Sequence, residues 1–217
     1  MNTNIDSEQM NIVINFSQWQ PFDNKWFQII NQEYTNPFFD RFFPMITDLH
    51  KNATFAVPIL LMIMLFFLDK YGRKGVSYFL FLILTLSLND FIGGKVKRAF
   101  ERPRPFTVTE LKTIQRTEAS PNTSFYSNHS ANMFCLAMFI SLFFPVAKWF
   151  TFPMAALVAY SRIYNGVHYP SDVLFGGLVG MVISLIVFWL IKKLTSDPHE
   201  SIRPANKHRL KAMNVSR

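Results

Sequence analysis

The chain has 217 residues, half of them from the hydrophobic set and 16% aromatic, with 24 Phe and only 17% charged, against a usual charged share of about a quarter. Its net charge is +8, but the cations flank apolar runs, so the composition points to a membrane bilayer and anionic lipid and not to nucleic acid. The single cysteine, Cys135, lies inside an apolar run, which excludes an internal disulfide and a Cys-built metal site.

The first 52 residues contain no spanning run, and Met1 to Asn15 lacks the basic start and apolar core of a signal peptide. They do hold Trp19, Trp26, Phe27, Phe38, Phe39, Phe42 and Phe43 among polar residues. Aromatics at that density prefer the membrane interface, so one or two amphipathic helices lying on the bilayer are expected; a soluble layer packed on the helices is the other reading. Five apolar runs follow: Ala53–Leu68, Val76–Gly94, Ser130–Val146, Phe150–Ile163 and Val173–Ile191. Against the roughly 20 residues that a spanning helix needs, the fifth is the clearest and the fourth the weakest. The expected fold is all-α: a polytopic membrane bundle of five to six helices. It divides into an interfacial segment (1–52), a transmembrane domain (53–193) and a basic cytoplasmic tail (194–217).

Charge orients the bundle. Lys70, Arg73 and Lys74 follow the first run, Lys148 follows the third, and seven Lys/Arg lie from Lys192 onward, whereas six acids outnumber three Lys/Arg up to Asn52. With five spans the basic connections share one side, which the positive-inside bias makes cytoplasmic. The loop from Lys95 to Tyr126 then faces outward despite seven Lys/Arg against three Glu. Charges kept against that bias suit anion binding. The same map puts Lys95, Ser127-Asn128-His129, Ser161-Arg162 and His168–Asp172 on one side; removing the third or fourth span would strand one of them about 30 Å away.

Those four places carry the chemistry. Lys95 and Arg102 are seven apart and share a face while the helix lasts; Arg forks onto phosphate oxygens and Lys acts as a point charge. Alone, the pair suits anionic headgroups equally well. Ser127-Asn128-His129 stands where a helix starts, so Ser127 caps it and the backbone N–H groups face an anion. His129 is a proton donor to a leaving oxygen, or a plain interfacial residue. His168 and Asp172 lie four apart around Pro170, on one helical face. Asp172 accepts from His168 Nδ1 and leaves Nε2 free to attack phosphorus, or the two form a structural cap. Asn165-Gly166 turns the chain back and brings Arg162 toward His168. Two His and one Asp also match a metal set, but the Lys/Arg around them repel a cation, so no metal and no other cofactor is expected.

The stretches Lys95-x6-Arg102-Pro103, Ser127-Asn128-His129 and Ser161-Arg162-x5-His168-x3-Asp172 resemble the signature of the type-2 phosphatidic acid phosphatase superfamily. The first and third match its Lys-x6-Arg-Pro and Ser-Arg-x5-His-x3-Asp at every fixed position. The second matches Pro-Ser-Gly-His at Ser127 and His129, with Tyr126 for Pro and Asn128 for Gly; Asn tolerates left-handed backbone better than most residues. The resemblance implies that His168 is the nucleophile and forms a phosphohistidine, that Asp172 orients it, and that His129 protonates the leaving group. It implies that Lys95, Arg102, Ser127, the Asn128 backbone and Arg162 hold the phosphate. It also implies a small bacterial member in the inner (plasma) membrane, its site facing the periplasm or exterior. The substrate would be a phospholipid or lipid-linked phosphate: undecaprenyl diphosphate, lipid A 1-phosphate, phosphatidylglycerol phosphate or phosphatidic acid. Lys112 and Arg116, on a Pro105–Tyr126 lid, would reach a second phosphate or sugar. A lipid phosphotransferase using the same intermediate and a non-catalytic anionic-lipid binder are the alternatives.

Overall fold

Seven α-helices and several short turns, with no strand, make up the described residues, 16–49 and 52–195, of the computed structural model. Helix α1 (Gln20–Gln28) carries Pro21 in its first turn and runs on into a π-turn at Ile29–Glu33. Helix α2 (Pro37–Asp48) starts where the Asn36 side chain accepts from Phe39 N at 2.9 Å and Pro37 takes the first helical position. Helices α3 (Ala53–Tyr71) and α4 (Arg73–Ala99) form a hairpin about Gly72, whose φ of +56° glycine adopts without steric cost.

Helix α5 spans Asn128–Phe143, α6 Lys148–Tyr164 and α7 Pro170–Thr195. All five apolar runs therefore fold as helices. Three of them, α3, α4 and α7, are long and apolar enough to cross a membrane. Helices α5 and α6 have 16 and 17 residues, or about 24 to 26 Å against a hydrocarbon core of about 30 Å. Pro145 ends α5, since the residue before a proline leaves the helical region, and Asn165-Gly166 ends α6.

Helix α5 packs on α4, α6 and α7. Gly176 and Gly180 let α7 lie against it: a Cβ on Gly176 would fall 2.5 Å from Ser127 O, and one on Gly180 2.0 Å from Ala131 O. Phe67, Leu82, Phe139, Phe143 and Ile191 form the core at one end of the bundle. At the other end Phe27, Leu111, Ala159, Ile163, Tyr169 and Val173 close around the site.

The N-terminal helices combine both expectations for them. Trp19, Phe22, Trp26, Phe38, Phe39 and Met45 are exposed, as an interfacial segment requires. On the inner side Phe27 is buried against Tyr169 and Phe43 against Tyr160 and Tyr164, so α1 and α2 also pack on α6 and α7. The basic tail expected at 194–217 lies outside the described residues beyond Thr195, as do Met1 to Asn15.

Candidate active site

Three helix ends and the turn before α7 meet at one cavity of about 550 Å³: the C-terminal ends of α4 and α6, the N-terminal end of α5, and His168. Lys97, Arg104, Asn128, His129, Arg162 and His168 line it.

The α4 contribution differs from the expected one. Lys95 is exposed, with Nζ 5.4 Å from the Phe91 ring, and it does not line this cavity. Lys97 does. Two residues on a helix are about 200° apart, so only one of the two lysines can face α5. The buried stripe Leu82, Thr85, Asn89, Gly93 continues at helical spacing to Lys97, not to Lys95.

The same offset separates the two arginines. Arg104 precedes Pro105 and is extended, with φ −76° and ψ 152°. In such a chain, with about three residues per turn, positions two apart point to different sides. Arg104 donates from Nε to Asn122 O (2.9 Å) and from Nη1 to Val167 O (3.0 Å), which leaves Nη1 3.4 Å from His168 Nε2. Arg102 instead points behind the site, 2% exposed. Its Nη1 donates to Asp172 Oδ1 (2.6 Å) and Ser171 Oγ (2.7 Å), and its Nη2 to Asp23 Oδ2 (2.6 Å). Of the residues at these two positions, Lys97 and Arg104 line the cavity, whereas Lys95 and Arg102, expected to bind phosphate, do not. The signal was present, because Lys97-x6-Arg104-Pro105 repeats the same spacing two residues on.

The start of α5 supplies the anion-binding end. Ser127 caps it, accepting from Ser130 N at 3.4 Å, and its own N–H donates to Asp172 O at 3.0 Å, tying α5 to α7. Ser127 is fully buried and does not line the cavity. Asn128 and His129, the first helical residues, do. Gly93 makes room for Asn128, since a Cβ there would lie 2.6 Å from Asn128 Oδ1. The N-terminal dipole of α5 favours an anion at this place.

Arg162 reaches the cavity from the last turn of α6, and its Nη1 donates to Thr47 Oγ1 of α2 at 2.8 Å. The return turn follows, with Gly166 at φ +78° packed against Asn31, Thr113 and Ile114. His168 then sits 2% exposed. Its Nδ1 is 3.5 Å from Asp172 Oδ2, longer than a well-formed hydrogen bond. Arginine only donates, so a neutral ring with its proton on Nδ1, toward Asp172, fits the contact of Nε2 with Arg104. Burial, reinforced by the charges of Arg104, Arg162 and Lys97, holds the His168 imidazole well below its ordinary pKa. It is therefore neutral, with a lone pair aimed into a cationic cavity.

Lys112 and Arg116 stay away from this cavity. Arg116 Nε pairs with Asp40 Oδ1 at 2.6 Å, and its guanidinium lies 4.4 Å from the Tyr164 ring. It straps the 100–127 loop to α2 and α6. Glu118, Ala119, Ser120, Asn122 and Thr123 of that loop cover the cavity instead. Among the described residues no group of three or more His, Cys, Asp or Glu is placed to hold a metal ion.

The profile of the PAP2 superfamily matches residues 75–196. The bacitracin transport permease protein BcrC of Bacillus licheniformis is 27% identical over 70% of this chain and 80% of its own length. The lipid A 4'-phosphatase of Porphyromonas gingivalis is 29% identical over 70% of this chain and 66% of its own. Among solved structures, Aquifex aeolicus LpxE superposes with a TM-score of 0.63 at 29% identity, over 77% of this chain and 95% of that one. The transmembrane PAP2-type phosphatidylglycerolphosphate phosphatase of Bacillus subtilis shares the fold, with a TM-score of 0.68 at 22% identity, over 85% and 92%.

Proposed function

Because the chain belongs to the PAP2 superfamily, we propose that it is an integral-membrane lipid phosphatase that removes phosphate from a lipid phosphate or diphosphate through a phosphohistidine. The observation that carries this reading is His168, buried with Nε2 beside Arg104, in a cavity that Lys97, Arg162 and the α5 N-terminus also line. An anion binder needs cations but no oriented nucleophile.

His168 Nε2 attacks phosphorus while the bond to the lipid oxygen breaks, and His129 delivers a proton to that oxygen. Lys97, Arg104, Arg162 and the backbone N–H groups at Asn128 hold the remaining phosphate oxygens as charge shifts onto them. Asp172 Oδ2 faces the Nδ1–H of the imidazole and offsets the positive charge that the ring gains. His129, now neutral, takes a proton from water; the hydroxide attacks phosphorus, the N–P bond breaks, and inorganic phosphate leaves. The site faces outward in the proposed topology, at the periplasmic or exterior side of the plasma membrane.

The relatives' names include lipid A phosphatases and undecaprenyl-diphosphatases, so a glycolipid phosphate and a polyprenyl diphosphate lead the substrate panel. Purified enzyme and its His168→Ala variant are assayed in EDTA with undecaprenyl diphosphate, lipid A 1-phosphate, phosphatidylglycerol phosphate and phosphatidic acid. Wild type releases phosphate from at least one of them and the variant from none. Equal release by the variant would remove His168 as nucleophile.

A further inference from the structure

We propose that Asp23, in the N-terminal helix and outside the residues that match the family, is a positioning residue for the reaction: it holds Arg102 so that Asp172 keeps its negative charge directed at His168. This rests on the reading of His168 as nucleophile.

Three ionisable groups lie in line behind the site. Asp23 and Asp172 are fully buried, and Arg102 between them is 2% exposed. Arg102 bonds one carboxylate with each end of its fork, Asp172 through Nη1 and Asp23 through Nη2, both at 2.6 Å. The guanidinium is sandwiched between the rings of Phe16 and Tyr169, at 4.7 and 4.1 Å. Asp23 is fixed in turn by Ser171, whose N–H donates to Oδ1 at 2.9 Å and whose hydroxyl donates to Oδ2 at 2.5 Å. Ser171 is the neighbour of Asp172, so Asp23 registers α1 on the turn that carries the nucleophile's carboxylate.

The two oxygens of Asp172 have different partners. Oδ1 takes Arg102, and Oδ2 takes the Tyr169 N–H at 2.9 Å and faces His168 Nδ1. A guanidinium bonded to Asp172 alone would cancel its charge and leave nothing to balance the ring once phosphorus is attached. With Asp23 present the cation is shared between two carboxylates, and one negative charge remains facing His168. Stability alone gives little reason for such a cluster, because buried ion pairs barely repay their desolvation and apolar replacements often serve as well.

The test is a double-mutant cycle of Asp23→Asn with Asp172→Asn, run beside His168→Ala on detergent-purified full-length enzyme. Asp23→Asn is expected to lower kcat about 10-fold or more with KM within about twofold, the pattern of a lost transition-state interaction. In the Asp172→Asn background it is expected to change kcat by less than about twofold, because its route to the reaction is already cut. An equal loss in both backgrounds, or a raised KM with unchanged kcat, overturns the proposal. If Asp23→Asn is lost from the membrane, Asp23→Glu carries the same cycle, since its longer arm displaces Arg102 and keeps the charge; the same two outcomes decide. Full activity in His168→Ala would instead overturn the underlying mechanism, so the two failures are distinct.

Discussion

Arg104 stands beside the nitrogen proposed to attack phosphorus and Lys97 lines the same cavity, and in the proposed mechanism both act twice, by binding the substrate and by keeping the imidazole neutral. Removing either to Ala is expected to lower kcat/KM about 10²- to 10³-fold, the usual cost of a lost oxyanion-type contact. Lys95→Ala, on the exposed side of the same helix, is expected to stay within about threefold. Steady-state assays of the three variants decide it, and the reverse ranking would return the phosphate to the Lys95 face. The pH profile follows from the same charges. Only neutral imidazole attacks, and His168 titrates well below its ordinary value of about 6.5, so the acid limb it sets in kcat/KM lies below that pH. Arg104→Gln removes one of the cations that disfavour imidazolium, so the pKa rises and the limb moves toward neutral; an unmoved or lowered limb contradicts the assignment. Asn128, His129, Arg162 and His168, which line the cavity, are legible as candidates in the sequence because each sits at a fixed place inside a motif. The first motif was ambiguous, since Lys-x6-Arg-Pro occurs twice in Lys95–Pro105, and spacing has no preference between registers. Helix phase favours the second register, through the buried Gly93 and Asn89 one and two turns before Lys97.

Helix α7 sets the position of Asp172, and α7 lies on α5 through Gly176 and Gly180. A methyl on Gly180 would overlap the Ala131 carbonyl, and backbone cannot rotate out of the way. Gly180→Ala is therefore expected to cost about 1–3 kcal/mol, read as a lowered melting temperature in detergent, with turnover falling as α7 moves off α5. An unchanged melting temperature would mean that the two helices are free to part. The apolar runs made all five of these helices visible in the sequence. The inner roles of α1 and α2 were not visible, because they depend on single polar residues paired across the chain. Asn31 bonds the carbonyls of Ile114 and Tyr164, Thr47 holds Arg162, and Asp23 meets Ser171 at a separation of 148 residues. No local pattern marks such partners, whereas the aromatic density around them does mark an interface.

Across the whole molecule, the cavity mouth and the α3–α4 turn at Gly72 lie at opposite ends of α4, a 27-residue helix. The proposed topology puts the Gly72 end in the cytoplasm and the cavity outside. The only native cysteine, Cys135, is buried, so labelling has little background. With a membrane-impermeant thiol reagent on intact cells, Glu118→Cys is expected to react and Lys74→Cys only after lysis; the opposite pattern would invert the topology. The step on which the proposed mechanism turns is the transfer of phosphate to His168. Its most direct measurement is rapid alkaline quenching of enzyme turning over the lipid that the panel selects, followed by mass spectrometry of the peptide that carries residue 168. An acid-labile, alkali-stable phosphoryl group is expected on His168 and absent from His168→Ala. A phosphoryl group on another residue, in enzyme that still releases phosphate without His168, would contradict it.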